Sequence, residues 1–364
     1  AATMAAEILR AAGYRAGLYT SPHLLRYHER IRIDGQPIED AGLCAAFAAV
    51  EAARKDVTLT YFEFGTLAAL WWFQQQAVDV QVLEVGLGGR LDAVNLMDAD
   101  AALLTSIDID HSQWLGDDRH AIGWEKAHIF RAGRAAICAD PTPPPSVAAH
   151  ARKIGADLQR FGVDFRISVT HAAWRWRGRD QALSDLPFPN FSGAFQLRNA
   201  AGVIAALKAL APKVHVDSAS IARGLTGARL AGRFERRGKL ILDVAHNLQA
   251  AQALLENLHQ LQGQGDVALV LGMLRDKPVE DFCRALKPAV RHCHFVGLDD
   301  PRALNAQALA RRARAAGLDG SCHANMAQAL TQAQARCADQ QCVLVTGSFL
   351  TVAAALESGS IRHG

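Results

Sequence analysis

The stretch Val78–Asn95, VDVQVLEVGLGGRLDAVN, constrains the fold more than any other part of the chain. A valine-rich run of strand length ends in an acid, Glu84, and is followed by Gly86, Gly88 and Gly89. Such a run reads as a strand in the middle of a sheet, covered on both faces. The glycines let backbone and ligand approach closely at its carboxyl end, the edge at which open α/β sheets bind ligands. A dinucleotide fingerprint would need its last glycine at position 91, and the chain has Leu91 there. What remains is an acid at a strand tip, a glycine turn, and Arg90, Asp92 and Asn95 as polar groups offered to a ligand.

Around this stretch, apolar runs of strand length alternate with helical periodicity. A helix is predicted over Thr3–Ala12 with Gly13 as its cap, a strand over Arg15–Tyr19, and helices over 41–54 and 64–76. Further strands are expected at Ala101–Ile107 and Ala135–Ala139, so right-handed crossovers and a largely parallel sheet follow. From Asp157 to Phe191 the pattern changes to short alternating runs. There Trp174-Arg175-Trp176-Arg177 interleaves aromatics with cations. Stacking on nucleic acid would use such a pattern, but period-two alternation favours an antiparallel strand with tryptophans inward. After a helix over Gln196–Leu210, a second alternating series begins near Leu230. Its strands are expected near 239–244, 267–271, 294–298 and 343–346, with helices near 248–262, 278–288, 303–316 and 325–336. The chain of 364 residues therefore divides into two α/β domains, 1–229 and 230–364, the first with a small β subregion at about 157–191.

Bulk properties narrow the function classes. A net charge of +3 is too small to argue for nucleic acid. Seven scattered cysteines without a C-x-x-C pair suit a reducing, cytoplasmic compartment. No apolar run approaches the roughly 18–20 residues of a membrane span.

The chemistry-bearing residues fall at strand ends in both halves, facing an expected shared cleft. Glu84 and His111 close two strands expected to be neighbours in the parallel sheet, with Ser21 in the turn after the first strand. A carboxylate, an imidazole and a hydroxyl suit a hard cation such as Mg²⁺ or Mn²⁺ holding phosphate, and offer too little sulfur or imidazole for zinc. Lys126 lies just after the loop that follows His111, where it can anchor a phosphate, pair with a carboxylate, or lose its proton and be modified. In the second half, Arg233 opens the domain and Asp243-Val-Ala-His246-Asn247 follows a buried strand. Arginine and aspartate so placed suit a nucleotide's phosphates and ribose.

Ten blocks taken together carry a resemblance. They are TSPHL at 20–24, ERIRI at 29–33, TYFEFGTL at 60–67, LEVGLGGRLDAVN at 83–95, TSIDIDHSQWLG at 105–116, EKAHIFR at 125–131, GRFE at 232–235, DVAHN at 243–247, GMLRDK at 272–277 and TGSFLTV at 346–352. In that order they resemble the bifunctional dihydrofolate synthase/folylpolyglutamate synthases of the Mur ligase superfamily. The resemblance implies a P-loop NTPase-type parallel-sheet domain followed by a smaller Rossmann-like domain. It implies a cytoplasmic, monomeric, ATP-dependent ligase with neither nucleic acid nor membrane as partner, acting through an acyl phosphate to join L-glutamate to dihydropteroate and to reduced folates. On matched positions, Ser21, Glu84 and His111 would hold two Mg²⁺ ions, and Lys126 would be the family's carbamylated lysine. Thr60, Tyr61, Phe62 and Glu63, with Leu91, Asp92 and Ala93, would line the pterin site, Asp92 facing the ring. Asn199, Arg233 and Asp243 would bind ATP, and His246 and the Ser348 region would meet the incoming glutamate.

The family's glycine-rich phosphate loop belongs just before the first helix, where this sequence starts. The only Gly-Lys pair, Gly238-Lys239, leads into a strand and cannot replace it. The expectation is of a missing N-terminal segment, without which the chain is inactive. Three rival readings are a cell-wall Mur ligase, which Thr60–Glu63 argue against, a non-catalytic folate-binding module, and a nicotinamide oxidoreductase, which Leu91 argues against.

Overall fold

The computed structural model describes residues 1–109, 112–190, 193–211, 213–261, 267–337 and 342–359, the side chains of 112, 113 and 194 excepted. The chain forms two compact units, one of Ala1–Asn190 with Ala194–Arg229, the other built on Leu230–Gly364.

The first unit contains α1 (Ala2–Ala11), β1 (Ala16–Tyr19), β2 (Ile31–Ile33), β3 (Gln36–Pro37), α2 (Asp40–Arg54), α3 (Tyr61–Gln75), β4 (Val80–Leu83), β5 (Ala101–Leu104), α4 (Ser112–Leu115), α5 (Arg119–Ala127), β6 (Ala135–Cys138), α6 (Pro145–Ile154), β7 (Asp157–Arg160), β8 (Arg166–Val169), β9 (Trp174–Arg177), β10 (Ala182–Leu186), α7 (Ala194–Ala209) and α8 (Ser218–Gly227). Its strands form three sheets, ordered β3-β2-β1-β4, β5-β6-β7 and β10-β9-β8. β1 runs parallel to β4 in the register Ala16↔Val80 to Tyr19↔Leu83, so the two strands end level and deliver Thr20-Ser21 and Glu84-Val85 to the same edge.

Here the structure departs from expectation. The valine-rich run predicts a mid-sheet strand beside the one that leads to His111. β4 instead ends its four-stranded sheet, and β5 belongs to another. β-Branched composition reports what covers a strand's faces and says nothing of what bonds to its edges.

In the parallel sheet β5-β6-β7, the buried Asp140 carboxylate accepts from the amides of Ile107 at 2.7 Å and Thr142 at 2.8 Å, which pins the segment leaving β5. In the antiparallel sheet, Trp174 and Trp176 are buried while Arg175 and Arg177 are exposed, as the alternation predicts. The Trp176 indole N–H donates to the Ala201 carbonyl of α7 at 3.1 Å, tying this sheet to its helix.

The second unit contains β11 (Glu235–Arg237), β12 (Leu240–Leu242), α9 (Leu248–His259), β13 (Val267–Leu271), α10 (Val279–Leu286), β14 (Val290–Val296), α11 (Ala306–Ala315), β15 (Gly320–His323), α12 (Met326–Arg336), β16 (Val343–Thr346) and α13 (Phe349–Glu357). Its sheet has the order β11-β12-β16-β13-β14-β15, parallel except for β11. All five residues of β13 are buried, which is what a parallel strand covered on both faces requires. β11, β15 and α13 are too short or too weakly patterned to read from sequence, and β14 starts four residues before its expected position because Val290–His292 alternate poorly.

Two outcomes follow from this packing. A Cβ on Gly224 of α8 would lie 2.5 Å from the Cα of Ile8, so the helices α1 and α8 touch backbone to backbone. Gly224→Ala is expected to push them apart and lower stability by about 1–3 kcal/mol in a denaturant titration. In the second unit, His294 is fully buried, with its Nδ1 2.9 Å from His323 Nε2. Burial first, then the neighbouring His323, His292 and Arg336, push the His294 pKa down from the ordinary 6.5 to about 4. The unfolded chain therefore takes up this proton at higher pH than the folded one, and the stability this group contributes is present above pH 6.5 and lost as pH falls toward 4. Melting temperatures across that window should drop less in His294→Asn than in the parent; equal slopes would refute the assignment.

Candidate active site

Level termination of β1 and β4 puts a hydroxyl residue and a carboxylate together. The Ser21 amide donates to Glu84 Oε2 at 3.1 Å, and the Glu84 amide donates to the Tyr19 carbonyl at 2.9 Å. Backbone on both sides thus holds Glu84 at the strand tip. His111, the third residue expected here, lies outside the described residues. Among the described residues, no three His, Cys, Asp or Glu side chains gather to hold a metal ion. Ser21 and Glu84 supply oxygen donors alone, and that donor chemistry fits a hard divalent cation that keeps most of its shell from water and phosphate.

The glycine turn is organised from inside. Asp92 folds its carboxylate back onto the loop, accepting from Leu87 at 2.8 Å, Gly86 at 3.0 Å and Val94 at 2.9 Å. Burial raises its pKa, against the opposing pull of these amides. Leu91 is 81% exposed at the loop tip, and Ala93 starts a short 3₁₀ turn that Asp92 caps. Asp92, Leu91 and Ala93 therefore share one loop, with the Asp92 carboxylate engaged in shaping it. Gly88 takes a left-handed φ of +68°. Gly89 packs flat against the end of α5, where a Cβ would stand 2.8 Å from the Glu125 carbonyl and 3.0 Å from that of Lys126. The Arg90 amide donates to the Glu125 carbonyl, and its guanidinium pairs with the Glu125 carboxylate at 3.1 Å beneath the Trp124 ring. The half-buried Lys126 is thereby tied to the loop that follows Glu84, with Glu125 committed to Arg90.

Thr60–Glu63 has a structural explanation that the sequence contained. The Thr60 hydroxyl accepts from the Glu63 amide at 3.2 Å and the Glu63 carboxylate accepts from the Thr60 amide at 2.7 Å, a capping box that starts α3. The Thr-x-x-Glu spacing was legible as this signal. Between these two residues, Phe62 turns toward the glycine loop: a Cβ on Gly86 would lie 2.6 Å from its ring, and the Tyr19 ring is 5.9 Å away. Tyr61, 64% exposed, lies over the buried Arg30 guanidinium, which Tyr27 covers on another side. Sequence reasoning did not single out Arg30, Tyr27, Trp124 or Glu125. Nothing in their local spacing marks them.

In the second unit, the carboxyl ends of β12 and β16 gather a second set. The Asp243 carboxylate accepts from Phe234 and Ala245 amides, each at 2.8 Å; burial raises its pKa while Arg233 opposes the rise. The Arg233 guanidinium sits 5.6 Å over the Phe349 ring, and the His246 ring centre is 6.3 Å from the same ring. His246 Nδ1 meets the Val244 carbonyl at 2.9 Å. Ser348 caps α13 through the Thr351 amide, and Gly347, at φ +112°, lets the chain pass so close to Gly272 that a Cβ would not fit. Arg233, Asp243 and His246 thus come together at one sheet edge, with Phe349 as an unforeseen member. Asn199 lies on α7 in the first unit, its amide 3.3 Å from Gln196.

Comparison with known proteins follows the same division. Residues 232–349 match the family of the Mur ligase, glutamate ligase domain. The dihydrofolate synthase/folylpolyglutamate synthase of Escherichia coli (strain K12) is 43% identical over 96% of this chain, which spans 82% of that protein. The structure of E. coli FolC in complex with DHPP and ADP superposes with a TM-score of 0.92 at 43% identity, over 98% of this chain and 84% of that one. A bifunctional folylpolyglutamate synthase/dihydrofolate synthase with Mn, AMPPNP and L-glutamate bound gives 0.90 at 42% identity, over 98% and 85%. Identity at this level across both units, with the Mur ligase fold of mixed α/β units, leaves one conclusion: the chain belongs to the dihydrofolate synthase/folylpolyglutamate synthase family.

Proposed function

We propose that this chain is an ATP-dependent ligase that joins L-glutamate to dihydropteroate and to the glutamate tail of reduced folates. The observation that carries the reading is the Ser21–Glu84 pair held at the level ends of β1 and β4, within a chain 43% identical to a bifunctional relative along 96% of its length. The substrate carboxylate attacks the γ-phosphorus of ATP, ADP departs, and an acyl phosphate remains. The amine of glutamate then attacks the acyl carbon, losing its proton, and a tetrahedral intermediate collapses with loss of inorganic phosphate. Such chemistry depends chiefly on placement and on stabilising charge.

Each residue has a part in that placement. Ser21, Glu84 and His111 hold Mg²⁺, which when bound neutralises phosphate charge. Lys126, tied to the glycine loop, carries a carbamate whose carboxylate would help to position the metal. Phe62 and Tyr61 offer aromatic surface to the pterin, while Thr60 and Glu63 hold the start of α3 in place and Leu91–Ala93 form the facing loop. Arg233 and Asp243 take ATP, and His246 and Ser348 meet glutamate. The protein works in the cytoplasm as a monomer, on free small molecules, without nucleic acid or membrane.

The test is release of inorganic phosphate from ATP by the protein, run with dihydropteroate and with a reduced folate. Release should require glutamate in both cases; release indifferent to glutamate would overturn the reading. In the same assay Glu84→Gln is expected to lower the rate on the order of a hundredfold or more, as loss of a metal-holding carboxylate does. Lys126→Ala should also lose activity, with partial recovery on adding a small carboxylic acid; an unimpaired Lys126→Ala enzyme would exclude the modified lysine.

A further inference from the structure

We infer that the outer face of the sheet β8–β9–β10 is a docking surface for an oligo-γ-glutamyl chain, the acidic tail that the proposed reaction lengthens. The inference rests on the ligase reading above and names a surface of the first unit for its product.

Register places the cations. Arg166 lies directly opposite Arg177, and Arg175 opposite Ser168, with all four side chains exposed on the face that the buried Trp174 and Trp176 leave to solvent. Directly opposed residues of an antiparallel pair carry their Cβ atoms about 5 Å apart, and like charges so placed repel. Arginine cannot relieve this by losing a proton. The neighbouring Arg179 is neutralised by Asp157 at 2.8 Å and Asp164 at 3.1 Å. Arg166, Arg175 and Arg177 have no ion pair of this kind among the described residues. They line a concavity of about 510 Å³ with Ser168 and Ser184, where Asp180 is the only carboxylate among the described residues.

Unpaired guanidiniums in register along a strand call for an anion that repeats. Residues 175 and 177 are two apart on β9, roughly 7 Å by strand geometry, and each guanidinium can fork onto one carboxylate. A chain with a carboxylate on every residue meets that spacing with charges of the opposite sign. Nucleic acid is the poorer match, because Trp174 and Trp176 are buried and leave no exposed ring on which a base would stack.

Calorimetry with synthetic penta-γ-glutamate tests the surface directly. The parent chain should bind it with an affinity that falls as salt rises, and R166Q/R175Q/R177Q, folded by circular dichroism, should bind on the order of tenfold more weakly. In the ligase assay, the apparent KM for reduced folates should fall as the tail lengthens, and the triple variant should lose that trend. Dihydropteroate, which has no tail, should be ligated equally by both. Equal penta-γ-glutamate affinity in parent and variant, or tighter binding of a single-stranded oligonucleotide through the same arginines, would overturn the inference. Absence of dihydropteroate ligation in the parent would instead overturn the ligase reading.

Discussion

The parallel pairing of β1 with β4 is the constraint on which the rest of the first unit's site depends. Tyr19 and Leu83 are partners in register, so the chain leaves both strands at the same height. The Glu84 amide is then within reach of the Tyr19 carbonyl, and the Glu84 carboxylate within reach of the Ser21 amide. A slip of one residue would turn Glu84 to the other face of the sheet. Placement of this acid therefore comes from backbone hydrogen bonds, which tolerate little variation in geometry, and not from side-chain packing alone.

The glycine turn extends that placement outward. Without Cβ atoms at positions 86 and 89, the loop can lie against the Phe62 ring on one side and the carbonyls at the end of α5 on the other. The Asp92 carboxylate, accepting from three loop amides, supplies the internal scaffold that a glycine-rich segment lacks. Arg90 then fastens the loop to Glu125. Through these contacts the residue after the strand, the aromatic start of α3 and the lysine on α5 become parts of one local structure. The second unit repeats the device: a carboxylate, Asp243, accepts backbone amides at a strand end, and a close approach of Gly347 to Gly272 brings neighbouring strand ends together.

Much of this was legible in the residues. Alternating strand and helix patterns located about half of the elements of the first unit and most of those of the second, and the Trp-Arg-Trp-Arg alternation correctly turned its tryptophans inward, because the period of a strand is two whatever surrounds it. Ten short blocks in order were enough to point to a ligase family, since glycine turns, strand-end acids and capping residues are local features. Asp92 and the Thr60–Glu63 pair, read as ligand-facing, are found with their polar atoms used for loop and helix-end hydrogen bonds. Short elements such as β11 and β15 carried too few residues for a period to show.

By itself, the sequence determined the α/β class, the strand-end position of Glu84, and the local signals around it, because these depend on residues close together along the chain. Only the tertiary structure decided that β4 ends its sheet and that β5 belongs to another, since hydrogen bonding between strand edges is a property of pairs of distant segments. For the same reason only it revealed Arg90 on Glu125, Arg30 between Tyr27 and Tyr61, Phe349 beside Arg233, and the opposed arginines 166 and 177. Side chains far apart along the chain meet through folding, and no local spacing records where.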